Sequence, residues 1–306
     1  MGTETPGRGT PRRARREGAS LRGVTPRPRL TPGRAIVFCL LCLGAGACLL
    51  PFLSMLSTSL KTVGESISRG SPFPFLPDFW PRVPQWVNYA TAWTTASFSL
   101  YFRNSVITAA LTVTGVVATS SLAAYAFAKI PFIGKRALFA ILIATLIIPD
   151  TVYLIPNFLI ITRLGWYDTL AGLTVPFMAG AFYIFLLRQF FAQLPNELLE
   201  SARIDGAGHF RAFFSIALPL SGAPLFTVAF LAFVGSWNAL QWPLVATRTA
   251  RWRPITVGLA TFITEAGPEN ELRMAGAVIA VLPVVLLYFL AQKQFTEAIA
   301  RSGIKG

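Results

Sequence analysis

Long apolar stretches alternate with short polar segments along most of this chain. Six of the apolar stretches reach or nearly reach the ~20 residues that a helix needs to cross a bilayer core. Each of them carries no charged residue or a single one. The predicted spans are Ala35–Leu60, Ser105–Ala128, Ala137–Ile161, Thr169–Leu187, Leu220–Thr247 and Met274–Gln292. The pattern therefore predicts an all-α membrane protein with six transmembrane helices.

The composition supports a membrane location and indicates an orientation. Charged residues make up 13% of the 306 residues, about half of what is usual in soluble domains. Of the 27 Lys and Arg residues, 18 fall in segments that face the cytoplasm if both termini lie there. Because cytoplasmic segments are enriched in positive charge, we expect an inner-membrane protein with cytoplasmic N- and C-termini. Arg248, Arg251 and Arg253 go against this trend, since they fall outside.

The segments around the spans define the expected domain organisation. Residues 1–34 contain nine Arg and lack apolar periodicity, which predicts a disordered basic tail attracted to anionic lipid. No folded module accompanies this charge, so no nucleic-acid partner is expected. Prolines in Phe73–Pro77 and at Pro81 argue against regular structure in the external loop. The other predicted parts are 35–60 as the first transmembrane helix, 61–100 as the external loop, 101–292 as the transmembrane core with a cytoplasmic loop at 195–219, and 293–306 as a cytoplasmic tail.

One polar, charged segment, residues 197–220, interrupts the apolar core. Pro195 is expected to end the preceding helix, and Asn196 is a suitable N-cap for a short new one. Gly206 can adopt the left-handed conformation that stops this helix and reverses the chain. The local signals alone also fit an ordinary solvated helical hairpin between two spans.

The order of short motifs in this segment is more specific. It contains Glu200-Ser201-Ala202, Asp205-Gly206-Ala207 and Ile216-Ala217-Leu218-Pro219. This arrangement resembles the cytoplasmic loop of ATP-binding-cassette importer permeases, which usually reads Glu-Ala-Ala, Asp-Gly-Ala and Ile-x-Leu-Pro. Ser201 replaces the first Ala of that pattern. The resemblance implies that the segment is the coupling loop on which the ATPase subunit acts.

The resemblance extends over most of the chain after residue 35 and is strongest for the maltose-type carbohydrate branch. It implies a type I importer core in which this chain forms half of the pore. The matching elements are Ser57–Lys61, Asn88-Tyr89, Ala123–Ala128, Ile184–Phe191, Gly235–Asn238, Trp242–Leu244 and the ending Gly303–Gly306. Within that ending, Gly303, Lys305 and Gly306 are candidates for contact with the ATPase.

Four polar residues within the predicted spans are candidates for lining a pore: Asp150, Asn157, Asn238 and Gln241. Carboxylates inside spans normally face a cavity or a partner. Asp150 could instead be merely hydrated where Pro149 bends the helix, and the sequence leaves both interpretations open. Asn238 and Gln241 could also form hydrogen bonds between helices. The motif around Asn238 favours the pore or a gate.

Catalysis finds no support in the sequence. Gly134-Lys135 lacks the first glycine and the hydroxyl residue of a phosphate-binding loop. The single histidine, His209, lies in the polar segment, where a surface contact is the expected role. We therefore expect no cofactor, no metal and no enzymatic activity in this chain, with ATP hydrolysed by another subunit.

The resemblance implies a complex of this chain with a second permease subunit, two ATPase subunits, an extracytoplasmic solute-binding protein and a sugar substrate. Two alternatives stay open. One is a permease of the same fold for a non-sugar solute. The other is an ion-coupled transporter or membrane enzyme, which the absence of internal repeats and of paired intramembrane charges disfavours.

Overall fold

Helices dominate this computed structural model, which describes residues 2, 32–67, 78–94, 97–266 and 269–302. No strand occurs within those ranges. The chain divides into two compact units, 1–48 and 49–306. In order, the α-helices are α1 Pro32–Ser59, α2 Val63–Ile67, α3 Val87–Thr94, α4 Phe98–Lys129, α5 Lys135–Ala144, α6 Asp150–Arg163, α7 Leu170–Thr174, α8 Ala181–Gln193, α9 Asn196–Ile204, α10 His209–Ala212, α11 Leu218–Leu220, α12 Gly222–Trp237, α13 Gln241–Ala246, α14 Ile255–Ala266 and α15 Asn270–Ser302.

Three predicted spans correspond to continuous helices long and apolar enough to cross a membrane. They are α1, α4 and the part of α15 up to Gln292. Helix α1 begins in the first unit, to which its residues up to Cys48 belong, and continues into the second. The helix α4 extends seven residues further towards the N-terminus than the predicted Ser105 start.

The count rises from three to six only if each of three bent helix pairs is taken as one span. Two pairs coincide with predicted spans: Lys135–Ile147 and Asp150–Arg163 meet at 103°, and Leu170–Phe177 and Ala181–Gln193 at 42°. The third pair, His209–Leu220 and Gly222–Trp237, meets at 82°, and its first arm lies in the polar segment before the predicted span Leu220–Thr247. That predicted span contains α12 and α13.

The sharpest bend has a local cause. Ile148 is extended, with φ −83° and ψ 121°, because a residue before proline is driven out of the helical region. Pro149 then precedes the first residue of α6, where its missing N–H costs no hydrogen bond. The turn thus presents Asp150 at a helix N-terminus instead of in the middle of a span.

Helix α4 is the centre of the second unit and packs against both α8 and α12. Close approach depends on small residues, as is usual in membrane helices. A Cβ atom added at Gly115 would lie 2.3 Å from Cγ of Met178, and one at Gly258 would lie 2.2 Å from Cδ2 of Tyr101. Glycine at these positions therefore leaves room for the side chains of Met178 and Tyr101 against the helix backbone.

The external segment is more regular than expected, since α2 and α3 lie within it. Phe73–Pro77 falls outside the described residues. The Ser57–Lys61 and Asn88-Tyr89 elements are bonded to each other. Nδ2 of Asn88 donates to the carbonyls of Ser59 and Lys61, both at 2.9 Å. Oγ of Ser59 and the hydroxyl of Tyr89 are 2.7 Å apart, so this network fixes the exit of α1 against α3.

We expect Asn88→Ala to lower the free energy of unfolding by about 2 kcal/mol. The substitution leaves two carbonyls without their partner, and Asn88 is buried. The partly exposed side chain of Gln85 makes one local bond, to the carbonyl of Val83, so Gln85→Ala should cost less than about 0.5 kcal/mol. Thermal unfolding of the purified variants in detergent measures the difference. Equal transition temperatures for both variants would contradict the structural role of Asn88.

Candidate translocation cavity and coupling surface

A cavity of about 1070 Å³ lies among α4, α6, α8, α12 and α13. This exceeds the ~300–1000 Å³ typical of small-molecule sites. Asp150, Asn157, Asn238 and Gln241 all line it. These residues form two pairs that are far apart in sequence, and the fold brings both pairs to one cavity. Their role in transport stays a prediction.

Breaks in the helices position these side chains. Asp150 occupies the first turn of α6, where the helix dipole favours a negative charge. Asn157 follows two turns later on the same face. Asn238 is the C-cap residue of α12, and Gln241 is the first residue of α13. Both amides therefore lie at the break between these two helices. Neither the Asn238 nor the Gln241 side chain forms a hydrogen bond to another residue in the described ranges. Within those ranges, no contact supports the alternative that these amides bond one helix to another.

Two cavity-lining residues escaped the sequence analysis. Thr108 and Thr112 lie one turn apart on α4, and both are more than nine-tenths buried. Their hydroxyl oxygens have no hydrogen-bond partner among the described residues. By contrast, the hydroxyl of Thr114 donates to the carbonyl of Ala110 on its own helix at 2.8 Å. The spacing of Ser105, Thr108 and Thr112 was a signal of a polar stripe that could have been recognised.

The two tryptophans near Asn238 have structural bonds. Nε1 of Trp237 donates to the carbonyl of Ala280 at 2.9 Å, which joins α12 to α15. Nε1 of Trp242 donates to the carbonyl of Gly172 at 3.1 Å, which joins α13 to α7. Trp242 also lines the cavity. Within the Gly235–Asn238 element, the tryptophan therefore packs while the amide faces the cavity.

Asp168, which lies outside the predicted spans, is hydrogen-bonded to the C-terminal end of α13. Its N–H donates to the carbonyl of Ala246 at 2.9 Å, and its carboxylate accepts bonds from Arg248 and Thr249. Burial alone would raise the pKa of the carboxyl, but these bonds and the nearby Arg253 outweigh it and lower the pKa. The network restrains the 247–253 loop.

The polar segment forms a short helix with a defined stop. Gly206 has φ +79°, the left-handed conformation expected for it. The N–H of Gly206 donates to the carbonyl of Arg203 at 3.0 Å, and the N–H of Ala207 donates to that of Ala202 at 2.8 Å. This pair of bonds is a Schellman motif. Glycine is needed here because an L side chain is strained at this φ.

Helix α9 begins one residue earlier than the capping expectation. Asn196 is its first residue, and Pro195 holds the capping position without a side-chain bond. Instead, Oδ1 of Asn196 accepts a bond from Nζ of Lys129 at 2.7 Å. Nζ of Lys129 also donates to the carbonyl of Leu194 at 2.6 Å. The end of α4 is thereby tied to the start of α9.

An aromatic cluster joins the polar segment to the spans. Tyr125 of α4 has ring-centroid distances of 5.9 Å to Phe191 of α8 and 5.2 Å to Phe213 of the polar segment. Leu199 belongs to the same buried cluster. The polar segment therefore packs, through Phe213, on the two helices that carry Thr108, Thr112 and Tyr183 along the cavity.

The opposite face of the segment is exposed. Glu200, Ser201, Asp205 and Gly206 are exposed, whereas Ala202 is buried. Two large apolar side chains lie on this face: Ile204 is 87% exposed and Phe210 is 74% exposed. The sequence analysis did not single them out. We call Glu200, Ile204, Asp205 and Phe210 the coupling surface.

The structure describes the closing motif of the polar segment but not the C-terminal residues 303–306. Ile216 lies in a π-helical turn, Phe213–Ala217, and Leu218 and Pro219 follow in α11. Such turns are frequent at functional positions. His209 begins α10 and is exposed. Gly303, Lys305 and Gly306 lie outside the described residues, so their proposed ATPase contact stays a prediction.

An all-helical membrane chain with a polar cavity and an exposed segment packed on its walls belongs, as a class, to the subunits that move solutes across membranes. Residues 115–301 match the model of the family described as binding-protein-dependent transport system inner membrane component. Because this match covers more than half of the chain, the protein belongs to that family.

Named relatives cover nearly the whole chain. The diacetylchitobiose uptake system permease protein NgcG of Streptomyces coelicolor is 34% identical, with 87% of each chain covered. The sn-glycerol-3-phosphate transport system permease protein UgpE of Yersinia pestis is 31% identical, covering 87% of this chain and 96% of the relative. The arabinooligosaccharides transport system permease protein AraQ of Halalkalibacterium halodurans is 30% identical, covering 84% and 91%.

A solved structure has the same fold. The crystal structure of a bacterial ABC transporter involved in the import of the acidic polysaccharide alginate contains a chain that matches with a TM-score of 0.73 at 23% identity. The match covers 87% of this chain and 99% of that chain.

Proposed function

We propose that this chain is the permease subunit of an ATP-driven, binding-protein-dependent sugar importer. Two relatives whose names specify sugar oligomers, from Streptomyces coelicolor and Halalkalibacterium halodurans, support the solute class. The chain forms half of the pore, and a second permease subunit supplies the other half. Two ATPase subunits and an extracytoplasmic solute-binding protein complete the importer. ATP is hydrolysed on the ATPase subunits, so this chain is not itself an enzyme.

The proposed domain organisation follows from this role. Both termini and the coupling surface face the cytoplasm, where the ATPase lies. The basic segment 1–34 lies at the inner leaflet, 61–100 faces outward, and the core 101–292 carries the pore. The segment 195–219 couples to the ATPase, and the tail 293–306 contributes Gly303, Lys305 and Gly306 to the same contact.

The observation that carries the proposal is the packing of the polar segment on the cavity walls. The Tyr125, Phe191 and Phe213 rings join that segment to α4 and α8. Packed aromatic clusters resist deformation, so a push on the coupling surface moves both helices together. Closure of the ATPase dimer then turns the cavity from inward-facing to outward-facing, and the binding protein releases solute into it.

Reconstitution tests the function. The complete importer is reconstituted in proteoliposomes with its ATPase and binding protein. It should accumulate diacetylchitobiose or an arabino-oligosaccharide only when ATP is present on the side of the membrane where the ATPase lies. Omission of the binding protein should reduce the uptake at least tenfold. ATP-independent uptake driven by an ion gradient would support the ion-coupled alternative instead. The Yersinia pestis relative makes sn-glycerol 3-phosphate the non-sugar solute to include.

A further inference from the structure

Asp150 is the only charged residue among those that line the cavity, all of which lie within the described ranges. The remaining polar lining consists of amides and hydroxyls, including those of Asn157, Ser236 and Tyr183. The lining supplied by this chain therefore carries one negative charge, and no Lys or Arg side chain in the lining compensates it.

The size of the cavity decides how far this charge acts. A volume of about 1070 Å³ corresponds to a sphere about 13 Å across, which is less than two Debye lengths of about 8 Å at physiological salt. Apolar walls such as those of Leu173 and Phe177 further reduce screening. A solute anywhere in the cavity is thus exposed to the potential of Asp150.

The amides of Asn238 and Gln241 add a capacity for hydrogen bonding. Both side chains are exposed and line the cavity, and neither bonds another residue in the described part of the chain. An unpaired amide offers a donor group and an acceptor oxygen to a bound solute. Two such groups match the hydroxyls of a carbohydrate better than an apolar solute.

We propose, building on the transport function above, that the cavity accepts uncharged polyhydroxylated solutes and repels anionic ones. Asp150 sets the charge preference, and the amides of Asn238 and Gln241 offer hydrogen bonds to solute hydroxyls. Among the solutes named for the relatives, the sugar oligomers fit this cavity and the phosphorylated glycerol does not.

A thiol probe measures the charge preference without knowledge of the solute. Ser236→Cys is introduced into the complete importer after Cys39, Cys42 and Cys48 of this chain are changed to Ala. In nanodiscs, methanethiosulfonate reagents carrying trimethylammonium or sulfonate react with the new thiol, and intact mass of this chain gives both rates. Each rate is divided by the rate with a free thiol in solution, which leaves only the effect of the cavity.

The normalised rates should favour the cationic reagent by about tenfold. Asp150→Asn should bring the ratio close to one, and Asp150→Lys should invert it. Asp205→Asn, which removes an exposed carboxylate outside the cavity lining, should leave the ratio unchanged. A ratio near one with Asp150 present, a ratio insensitive to Asp150→Asn, or no reaction with either reagent would overturn the proposal.

Uptake by the same importer separates this inference from the proposed function. ATP-driven accumulation of diacetylchitobiose or an arabino-oligosaccharide, with at least tenfold slower accumulation of sn-glycerol 3-phosphate, supports both. Faster uptake of sn-glycerol 3-phosphate contradicts the charge preference while leaving the transporter function intact. No uptake of any of the three contradicts the sugar-importer function, and the thiol ratio then decides the charge preference alone.

Discussion

A Gly206→Val chain should insert into the membrane normally and lose at least nine-tenths of its ATP-driven uptake. Gly206 has φ +79°, a conformation that costs an L-residue about 1–3 kcal/mol and is least accessible to a β-branched one. A Cβ atom added at Gly206 meets no atom within 4 Å, so the backbone conformation, not a clash of the Cβ, is the expected cause. Relief of the strain would break the two Schellman hydrogen bonds. It would also change the orientation of α9, which carries Glu200 and Ile204 of the coupling surface.

Gly208→Val is the matched control. Gly208 lies two residues further along, also has open space around an added Cβ, and has φ −70°, which valine adopts readily. Its uptake should stay within about twofold of the unchanged chain. Uptake is measured in proteoliposomes with equal amounts of inserted permease. Similar uptake by the two variants would show that the left-handed stop of α9 is unimportant for coupling.

Ile204→Asp should weaken association with the ATPase about 100-fold. Ile204 is 87% exposed, and an apolar side chain of this size contributes about 1.5–3 kcal/mol when a partner buries it. The substitution removes that contribution and places a charge in the contact. A loss of about 2.7 kcal/mol corresponds to a 100-fold change in the dissociation constant. Thermal stability of the free chain should be unchanged because the position is solvent-exposed.

Titration of the ATPase against permease in detergent measures this loss. Glu200→Ala should weaken association by at least about tenfold if the carboxylate bonds across the contact, since a charge-assisted hydrogen bond contributes about 1.5–3 kcal/mol. Glu197→Ala, also on the exposed side of α9, is the control and should have little effect. Unaltered affinity for Ile204→Asp would remove this surface from the ATPase interface.

The hydrophobic pattern was sufficient to locate the membrane-spanning regions, because ~20 apolar residues in a row are stable only in lipid or in a protein core. It could not reveal how sharply two of these regions bend. Hydropathy is blind to backbone direction, and the sequence analysis raised a bend only at Pro149, which drives Ile148 out of the helical region. The bend matters because it moves Asp150 from mid-span to the start of α6.

The left-handed stop at Gly206 was predictable, since it depends on one residue type and its immediate neighbours. The apolar half of the coupling surface was not. Ile204 and Phe210 are ordinary hydrophobic residues in sequence, and only packing decides that Leu199 is buried while they are exposed. Exposure is a property of the assembled fold.

The sequence by itself determined the class of protein, the positions of its spans and the polar residues within them. It did so because lipid solvation and backbone conformation act locally. Tertiary structure alone decided which of those polar residues meet in one cavity. It also decided that Thr108 and Thr112 join them unpaired, while Thr114 on the same helix bonds its own backbone. These outcomes depend on which helix faces pack together, and that is set by contacts between residues far apart in the chain.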